Sequence, residues 1–367
     1  MVPVARRNLM AEKLRLAMSV SGVAFAVLLV LIVLSLYRGW SGVGKLITKL
    51  PGDVWITQTG TTDPFHSTSI LPAASRDGLA VLRGVQLVLP VYARTMGFEH
   101  GGVELSVYFM ALDAPAGVPL PEGTRERYFP PPGRVNIDSV FSQKTGLHRG
   151  DTIRVGDRDL IVEGINSGGN AVITQFAFLN AADARAIFGV EGAVNFYLLT
   201  TEPGSDPLSI GAAAAAMVPG AEFRTSAAFA TAISKEVDEG FLPVVSVLVA
   251  IGMIVGGAVI GLTTYTATIE KSRDFGVLKA LGASGAFLYR IVIAQSLIVG
   301  VLGSIVGIVA SALAATLIKR WIPEFITELL WTDVAVVFAA ALLMAIVSSY
   351  LPVRRINGID PAMVFRA

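Results

Sequence analysis

The chain has 367 residues, none of which is cysteine and only three of which are histidine. The lack of cysteine excludes disulfide bonds and thiol chemistry. The histidines, His66, His100 and His148, are widely spaced and show no metal-ligand pattern. No serine stands in the Gly-x-Ser-x-Gly motif that marks the nucleophile of many hydrolases. We therefore expect a protein that is not an enzyme and that binds no metal or cofactor of its own.

Charged residues are also scarce, because they make up 16% of the chain, whereas a soluble domain has about a quarter. The deficit is concentrated in four runs without Asp, Glu, Lys, Arg or His, namely Leu16–Tyr37, Phe241–Thr268, Ile291–Ile318 and Val334–Val353. Each run is long enough to cross about 30 Å of hydrocarbon as a helix. The runs favour membrane helices over buried core helices. Their lack of ionisable groups disfavours the ion path of a secondary transporter.

The distribution of positive charge predicts the orientation of these helices. Basic residues predominate before the first run, between the second and third runs, and after the fourth. In contrast, residues 38–240 contain 16 basic and 21 acidic residues. This bias places both termini and the 269–290 loop in the cytoplasm, and residues 38–240 outside. Trp40, Trp321 and Trp331 then fall near the outer boundary of the membrane, where tryptophan is enriched. The net charge of +1 argues against a nucleic-acid partner.

We therefore predict an α+β membrane protein, with four transmembrane helices and a large α+β extracytoplasmic domain inserted between the first and the second. The predicted segments are a cytoplasmic N-terminal helix (1–15), transmembrane helix 1 (16–37), the extracytoplasmic domain (38–240), transmembrane helix 2 (241–268), a cytoplasmic coupling segment (269–290), transmembrane helix 3 (291–318), a short outer loop (319–333), transmembrane helix 4 (334–353) and a cytoplasmic tail (354–367). Within the domain, β-rich runs predict strands at 53–58, 85–96, 103–112, 151–165, 171–179 and 194–200. Helical patterns cover 181–188, 208–217 and 226–239.

One motif resembles a phosphate-binding loop but lacks its essential parts. Gly39, Gly44 and Lys45 have the spacing of such a loop. However, Leu46 stands where a Ser or Thr is needed, and a membrane helix precedes the motif where a strand is needed. The chain therefore shows no motif for ATP hydrolysis.

Small residues recur at four-residue spacing in two of the apolar runs. These helix-packing candidates are Gly252, Gly256, Gly257, Gly261, Gly303 and Gly307. Such spacing lets helix backbones approach closely. The sequence leaves open whether they pack within one chain or across a dimer interface.

The segment from Ile269 to Ser284 is short, charged and prone to form a helix between two apolar runs. Phe275, Leu278 and Leu281 recur at a spacing of three residues and are flanked by Ile269 and Val277. The charged residues of the segment are Glu270, Lys271, Arg273, Asp274 and Lys279. Such a helix either lies on lipid headgroups or docks into a soluble partner. The nearly even mixture of charge signs favours the partner.

Glu270 to Ser284 resembles the cytoplasmic segment of FtsX/MacB-type (type VII) ABC transporter permeases, which reads E-x-x-x-[DE]-[FI]-G-[VI]-L-[KR]-A-[LI]-G-[AS]-[ST]. The tail, Asp360-Pro361-Ala362 after Arg354-Arg355, is similar to the end of those permeases. The order of one span, a large exported domain and three further spans also matches. The size and the N-terminal sequence are most similar to DevC-like members, which have no fused ATPase domain.

The resemblance implies a non-catalytic permease subunit in the plasma (inner) membrane. ATP and magnesium would bind to a separate ABC ATPase subunit, and two permease copies would form a homodimer. Ile269 and the charged residues named above would surround the ATPase contact, and Phe275, Leu278 and Leu281 would fill a groove in the ATPase. ATP hydrolysis would then move the exported domain, a process called mechanotransmission, for export or extraction of a lipid, peptide or hydrophobic compound. A membrane-fusion adaptor is a further expected partner. The alternative is an FtsX-like signalling subunit that activates an extracytoplasmic cell-wall hydrolase.

Overall fold

The computed structural model describes residues 13–62, 69–115, 117–167, 170–171, 174–350 and 352. Three sequence-based expectations lie outside these residues: most of the N-terminal helix (1–15), the tail (354–367) and the loop that contains His66. The chain divides into two units. A helical unit contains Met1–Arg38, Gly240–Trp321 and Thr327–Ala367, and a sheet domain contains Gly39–Glu239 with Ile322–Ile326.

The described helices include four that are long and apolar enough to cross a membrane. In chain order the helices are α1 (Lys13–Ser41), α2 (Ser75–Ala80), α3 (Thr124–Tyr128), α4 (Ser139–Thr145), α5 (Ala181–Phe188), α6 (Pro207–Met217), α7 (Ser226–Glu270), α8 (Ser272–Ala280), α9 (Gly285–Trp321) and α10 (Trp331–Ser348), with a 3₁₀ helix at Gly42–Lys49. The four long apolar helices are α1, α7, α9 and α10. A large sheet domain lies between the first and the second of them, so the predicted fold class is confirmed.

The sheet domain is built on one mixed sheet. Its strands and two short accessory strands are β1 (Val54–Gln58), β2 (Leu71–Pro72), β3 (Val85–His100), β4 (Val103–Leu112), β5 (Arg134–Asp138), β6 (Thr152–Val155), β7 (Arg158–Asn166), β8 (Asn170–Ala171), β9 (Thr174–Leu179), β10 (Ala193–Val194), β11 (Phe196–Thr201) and β12 (Ala221–Thr225). The strand order is β12-β1-β11-β3-β4-β9-β5-β7-β6, β8 pairs with β9, and β2 pairs separately with β10. The β4–β9 and β5–β7 pairs are parallel.

A glycine allows the tight turn between β6 and β7. Strands β6 and β7 form a hairpin in which Val155 lies opposite Arg158, and Gly156 in the turn has a φ of 60°. Glycine adopts this left-handed conformation without the steric cost that a side chain adds. Gly156 and Asp157 form the turn, which fixes the register of the two strands.

The central strands are buried on both faces, which explains why they are apolar throughout rather than alternating. In β4, Val107 and Phe109 belong to one core, while Tyr108 and Met110 belong to the other. Successive side chains of a strand point to opposite faces, so both faces of the sheet must be covered.

The second core is completed by the segments that join the sheet to the long helices. The 3₁₀ helix contributes Ile47, and the first turns of α7 contribute Phe229 and Ile233. The rings of Trp55 and Phe229 meet edge to face, with centroids 5.5 Å apart. The first turns of α7 are therefore part of the sheet domain's core, although the helix continues past Pro243 to Glu270.

The residues that connect α9 to α10 also belong to the sheet domain. Glu324 forms an ion pair with Lys144 of α4. The ring of Phe325 lies 6.5 Å from that of Trp40, measured between centroids. Gly39 lies so close to the backbone of Ile326 that an added Cβ would be 2.5 Å from the Ile326 carbonyl carbon. The outer loop is thus bound to the sheet domain by charge, ring contact and close backbone packing.

In the helical unit, the glycines of α9 lie against α1. A Cβ built on Gly303 would lie 2.5 Å from the Cβ of Val23, and one on Gly307 would lie 2.8 Å from the Cβ of Val27. Neither position has room for a side chain, because carbon atoms do not approach so closely.

The glycines of α7 lie against α1 and α10. An added Cβ at Gly256 would lie 2.9 Å from the Cβ of Ala26 in α1 and 3.0 Å from the Cε of Met344 in α10. Gly252 meets α1, and Gly257 and Gly261 meet α10. All six glycines therefore lie against a neighbouring helix of the same chain.

Candidate functional site

The 269–284 segment forms a short helix with defined ends. It separates from α7 at Lys271 and continues as α8. Gly282, with a φ of 93°, ends the helix: its N–H donates to the Lys279 carbonyl, and the N–H of Ala283 donates to the Leu278 carbonyl. This pattern is a Schellman motif. The Oγ of Ser284 then accepts from the N–H of Phe287 and caps α9, so the turn between the helices is fixed by local hydrogen bonds.

The inner side of α8 packs on the beginning of α9. Phe275 is only 4% exposed and forms a small core with Leu288 and Val292, and Leu278 packs against this core. The expectation that Phe275 fills a partner's groove is therefore revised. Its ring instead attaches α8 to α9 within the same chain, because burial there already removes it from water.

The outer side of α8 presents a different set of residues. Leu281 is 80% exposed, and Val277 and Ile269 are 42% and 43% exposed. The carboxylates of Glu270 and Asp274 and the guanidinium of Arg273 are exposed around these apolar side chains. A large apolar side chain surrounded by charges of both signs is suited to contact with a protein surface.

A salt bridge connects this segment to α1. The guanidinium of Arg15 lies 2.7 Å from one carboxylate oxygen of Glu270 and 2.8 Å from the other. The two residues are 255 positions apart in the chain. Arg15 therefore joins α1 to the junction of α7 and α8, a contact that sequence reasoning missed.

A second salt bridge joins the opposite end of α1 to α10. Arg38 donates from Nε to Asp333 Oδ2 and from Nη2 to Asp333 Oδ1, both at 2.9 Å. The Asp333 side chain is 10% exposed and the Arg38 side chain 41% exposed. This bidentate geometry is the strong form of an Arg–carboxylate pair. Asp333 stands one residue before the fourth apolar run, which is the only sequence signal for it.

We expect Asp333→Asn to lower the free energy of unfolding of the purified protein by about 1–3 kcal/mol, because it leaves Arg38 partly buried without its counter-charge. Denaturant unfolding in detergent measures the change. Glu239→Gln is the control: Glu239 pairs with Lys235 on the surface, with both side chains at least 70% exposed. It should cost less than about 0.5 kcal/mol. Equal effects of the two substitutions would contradict the assignment of a structural role to Arg38–Asp333.

The sheet domain has an open cleft with a volume of about 760 Å³. Arg125, Arg127 and Arg149 line it together with Asn136 and Glu163. Glu163 accepts from Arg149 at 2.9 Å and also from Arg134. These hydrogen bonds hold the pKa of Glu163 below its usual value. The cleft is therefore only weakly basic, because Glu126 and Glu163 offset the charge of two of the three arginines.

Comparison with known proteins identifies a family domain in the C-terminal third of the chain. Residues 246–361 match the family described as FtsX-like permease C-terminal. The whole chain is 23% identical over 370 residues to an uncharacterized ABC transporter permease of Mycobacterium tuberculosis (strain CDC 1551 / Oshkosh), with 100% of this chain and 99% of that protein covered. The chain contains an FtsX-like permease domain.

Two further similarities concern parts of the permease. An uncharacterized ABC transporter permease of Methanocaldococcus jannaschii is 28% identical over 236 residues, which is 59% of this chain and 57% of that protein. Among solved structures, the extracellular domain of the ABC-type transporter YknZ from Gram-positive bacteria covers 47% of this permease and 98% of its own chain, at 13% identity and a TM-score of 0.35.

The family match covers the part of the permease that contains the 269–284 segment. It includes most of α7 and all of α8, α9 and α10. It also reaches Asp360 and Pro361 of the C-terminal motif, which lie outside the described residues. Among the helices of the matched region, α8 is the one that is short and surrounded by charge, and it therefore stands out as the candidate functional site.

Proposed function

We propose that this permease couples ATP hydrolysis by a separate ABC ATPase subunit to movement of its sheet domain. The 269–284 segment would dock on the ATPase through Leu281, Val277 and Ile269, and its charged residues would make polar contacts around them. Lys271 and Lys279 belong to these, with Glu270, Arg273 and Asp274. ATP and magnesium would be held by the ATPase and not by this chain.

The proposal rests on two contacts that attach α8 to the long helices α9 and α1. Phe275 fixes it to α9, and Arg15 fixes its junction with α7 to α1. A displacement of α8 would therefore act on α1, α7 and α9 together. Helix α7 runs from Ser226 to Glu270 with Pro243 inside it, and its first turns form part of the sheet domain's core. We propose that α7 carries the movement from α8 to the sheet domain.

The proposal places the permease in the plasma membrane as a homodimer with both termini in the cytoplasm. The bias of basic residues toward the flanks of the spans and the 269–290 loop supports this orientation. The described parts of the four spans have no acidic or basic side chain at their centres, which fits movement of helices rather than passage of an ion.

We propose export or extraction of a lipid, peptide or hydrophobic compound, with a membrane-fusion adaptor as a further partner of the sheet domain.

Single-cysteine variants test the orientation and the movement together, because the chain has no cysteine of its own. Pro121 and Ser284 are both exposed. We expect a membrane-impermeant maleimide to label Pro121→Cys in intact spheroplasts, and to label Ser284→Cys only after permeabilisation. Unsubstituted permease is the control and should remain unlabelled. Reversed labelling would overturn the orientation.

A spin label at Pro121→Cys then reports the movement. In permease purified with its ATPase, two labels in a homodimer give an inter-copy distance that pulsed electron resonance measures. We expect this distance to change when ATP and magnesium are added and to return when ATP is exhausted. A distance that is the same with and without ATP would contradict coupling to the sheet domain.

A further inference from the structure

Helix α7 belongs to both units of the chain. In its first turns, Phe229 is part of the second core of the sheet domain, and Ser234 Oγ donates to the Ser41 carbonyl at 2.7 Å. Farther along, Ile260 is part of the core of the helical unit. The boundary between the two units falls at Glu239–Gly240. Any movement of one unit against the other therefore has to be taken up by α7 near this boundary.

The side chains of α7 at this boundary are not packed. All six residues from Glu239 to Val244 are exposed. Six residues make more than one and a half turns, so every side of the helix is left open by the described part of the chain. Weak side-chain packing is a mark of a segment that opens locally.

Helix α1 crosses the same boundary in a different way. None of the residues from Leu34 to Ser41 is exposed. Arg38 is paired with Asp333 at this crossing, and Gly39 has no room for an added Cβ. Of these two helical connections between the units, α1 is therefore the packed one and α7 the open one.

The exposed stretch of α7 also lacks part of its internal hydrogen bonding. Pro243 has no N–H, so the Glu239 carbonyl lacks the donor that a helix normally supplies four residues ahead. Ser246 Oγ donates to the Pro243 carbonyl at 2.7 Å, in competition with the backbone donor of the next turn. Gly240 adds backbone freedom, because it has no Cβ. These three features weaken the helix within about two turns.

We propose that Gly240–Val244 is a hinge in α7. It lets the first turns of α7 move with the sheet domain while the rest of the helix moves with the spans. The packed crossing of α1 is then the point about which the sheet domain turns. A displacement of α8 at the far end of α7 is converted at the hinge into a rotation of the sheet domain. The force that bends the hinge rests on the proposed coupling to ATP, whereas the weakness of the helix is a property of this chain alone.

Amide hydrogen exchange of the purified permease in detergent tests the hinge without the ATPase. The amides of residues 244–247 have their helical acceptors in the hinge. We expect them to exchange at least about tenfold faster than those of residues 233–237, which follow the packed first turns. Pro243→Ala should slow this exchange at least about tenfold, because alanine supplies the missing N–H and removes the clash of the proline ring.

Pro207→Ala is the matched control for Pro243→Ala. Pro207 stands in the first turn of α6, where a proline removes no helical hydrogen bond. This variant should leave the exchange of residues 244–247 unchanged. Equal exchange of these residues in Pro243→Ala and in unsubstituted permease would overturn the hinge.

The distance between the two Pro121→Cys spin labels then connects the hinge to the movement. In permease purified with its ATPase, Pro243→Ala should reduce the change that ATP causes in this distance by at least about half, while the ATPase still co-purifies. A full change in Pro243→Ala would overturn the hinge as the origin of the movement. No change in unsubstituted permease would instead overturn the proposed coupling, and the exchange measurement would then decide the hinge by itself.

Discussion

Replacing Leu281 by Asp should remove the ATPase subunit from the purified permease. Leu281 is 80% exposed at the end of α8, and it is the most exposed of the large apolar residues in the 269–284 segment. A buried leucine contributes about 2 kcal/mol to an interface through the hydrophobic effect, and a carboxylate in its place must be desolvated without a partner. We expect an affinity-purified Leu281→Asp permease to lose its ATP hydrolysis activity together with the ATPase band.

The control for Leu281→Asp is the same substitution at Leu208, which is 59% exposed in α6 of the sheet domain. Leu208→Asp should retain the ATPase. Phe275→Asp gives a different result, because its ring is buried against Leu288 and Val292. That variant should show a lower unfolding midpoint as well as a weaker complex. Full ATP hydrolysis in purified Leu281→Asp permease would refute docking through this surface.

The difference between Phe275 and Leu281 shows how far the sequence could define the site. The spacing of apolar residues predicts a short helix in the 269–284 segment, and the structure has one at Ser272–Ala280. It does not predict which side faces a partner. At about 100° per residue, a step of six residues turns Leu281 by about 120° away from Phe275. The three apolar residues are therefore spread over about 120° of the helix, and packing on α9 decides that Phe275 is buried and Leu281 exposed.

The sheet domain was predictable where strands are long and apolar. The expected strands at 103–112 and 194–200 correspond to β4 and β11, whose buried residues are mostly apolar. Strands β5 and β12 were missed because each has only five residues, about half of them polar or charged. The strand order was not predictable either, since the parallel β4–β9 pair joins segments far apart in sequence.

The two salt bridges of α1 were beyond sequence reasoning for a similar reason. Arg15 and Glu270 are 255 residues apart, and Arg38 and Asp333 are 295 residues apart. Charged residues are common at the ends of membrane helices, so their presence alone does not identify partners. Only the packing of α1 against the other helices brings each pair together. That packing in turn depends on the glycines of α7 and α9.

Replacing Gly303 by Leu should disrupt the packing of α9 against α1. An added Cβ would lie 2.5 Å from the Cβ of Val23 and 3.1 Å from the carbonyl oxygen of Val20. A backbone oxygen cannot move aside as a flexible side chain can, so α1 and α9 must separate. Overpacking a well-packed core costs about 1–3 kcal/mol and occasionally more. We expect a loss of about 3 kcal/mol in the free energy of unfolding in detergent.

Gly240→Leu is the matched control, because Gly240 also lies within a long helix but has nothing within 4 Å of an added Cβ. Leucine favours a helix over glycine by about 0.8 kcal/mol, so this variant should be unchanged or slightly more stable. The two substitutions make the same chemical change, and their difference isolates the contact with α1. If Gly303→Leu leaves unfolding unchanged but prevents cross-linking of two permease copies, Gly303 serves a dimer interface and the packing between α1 and α9 seen here is not the one in the membrane.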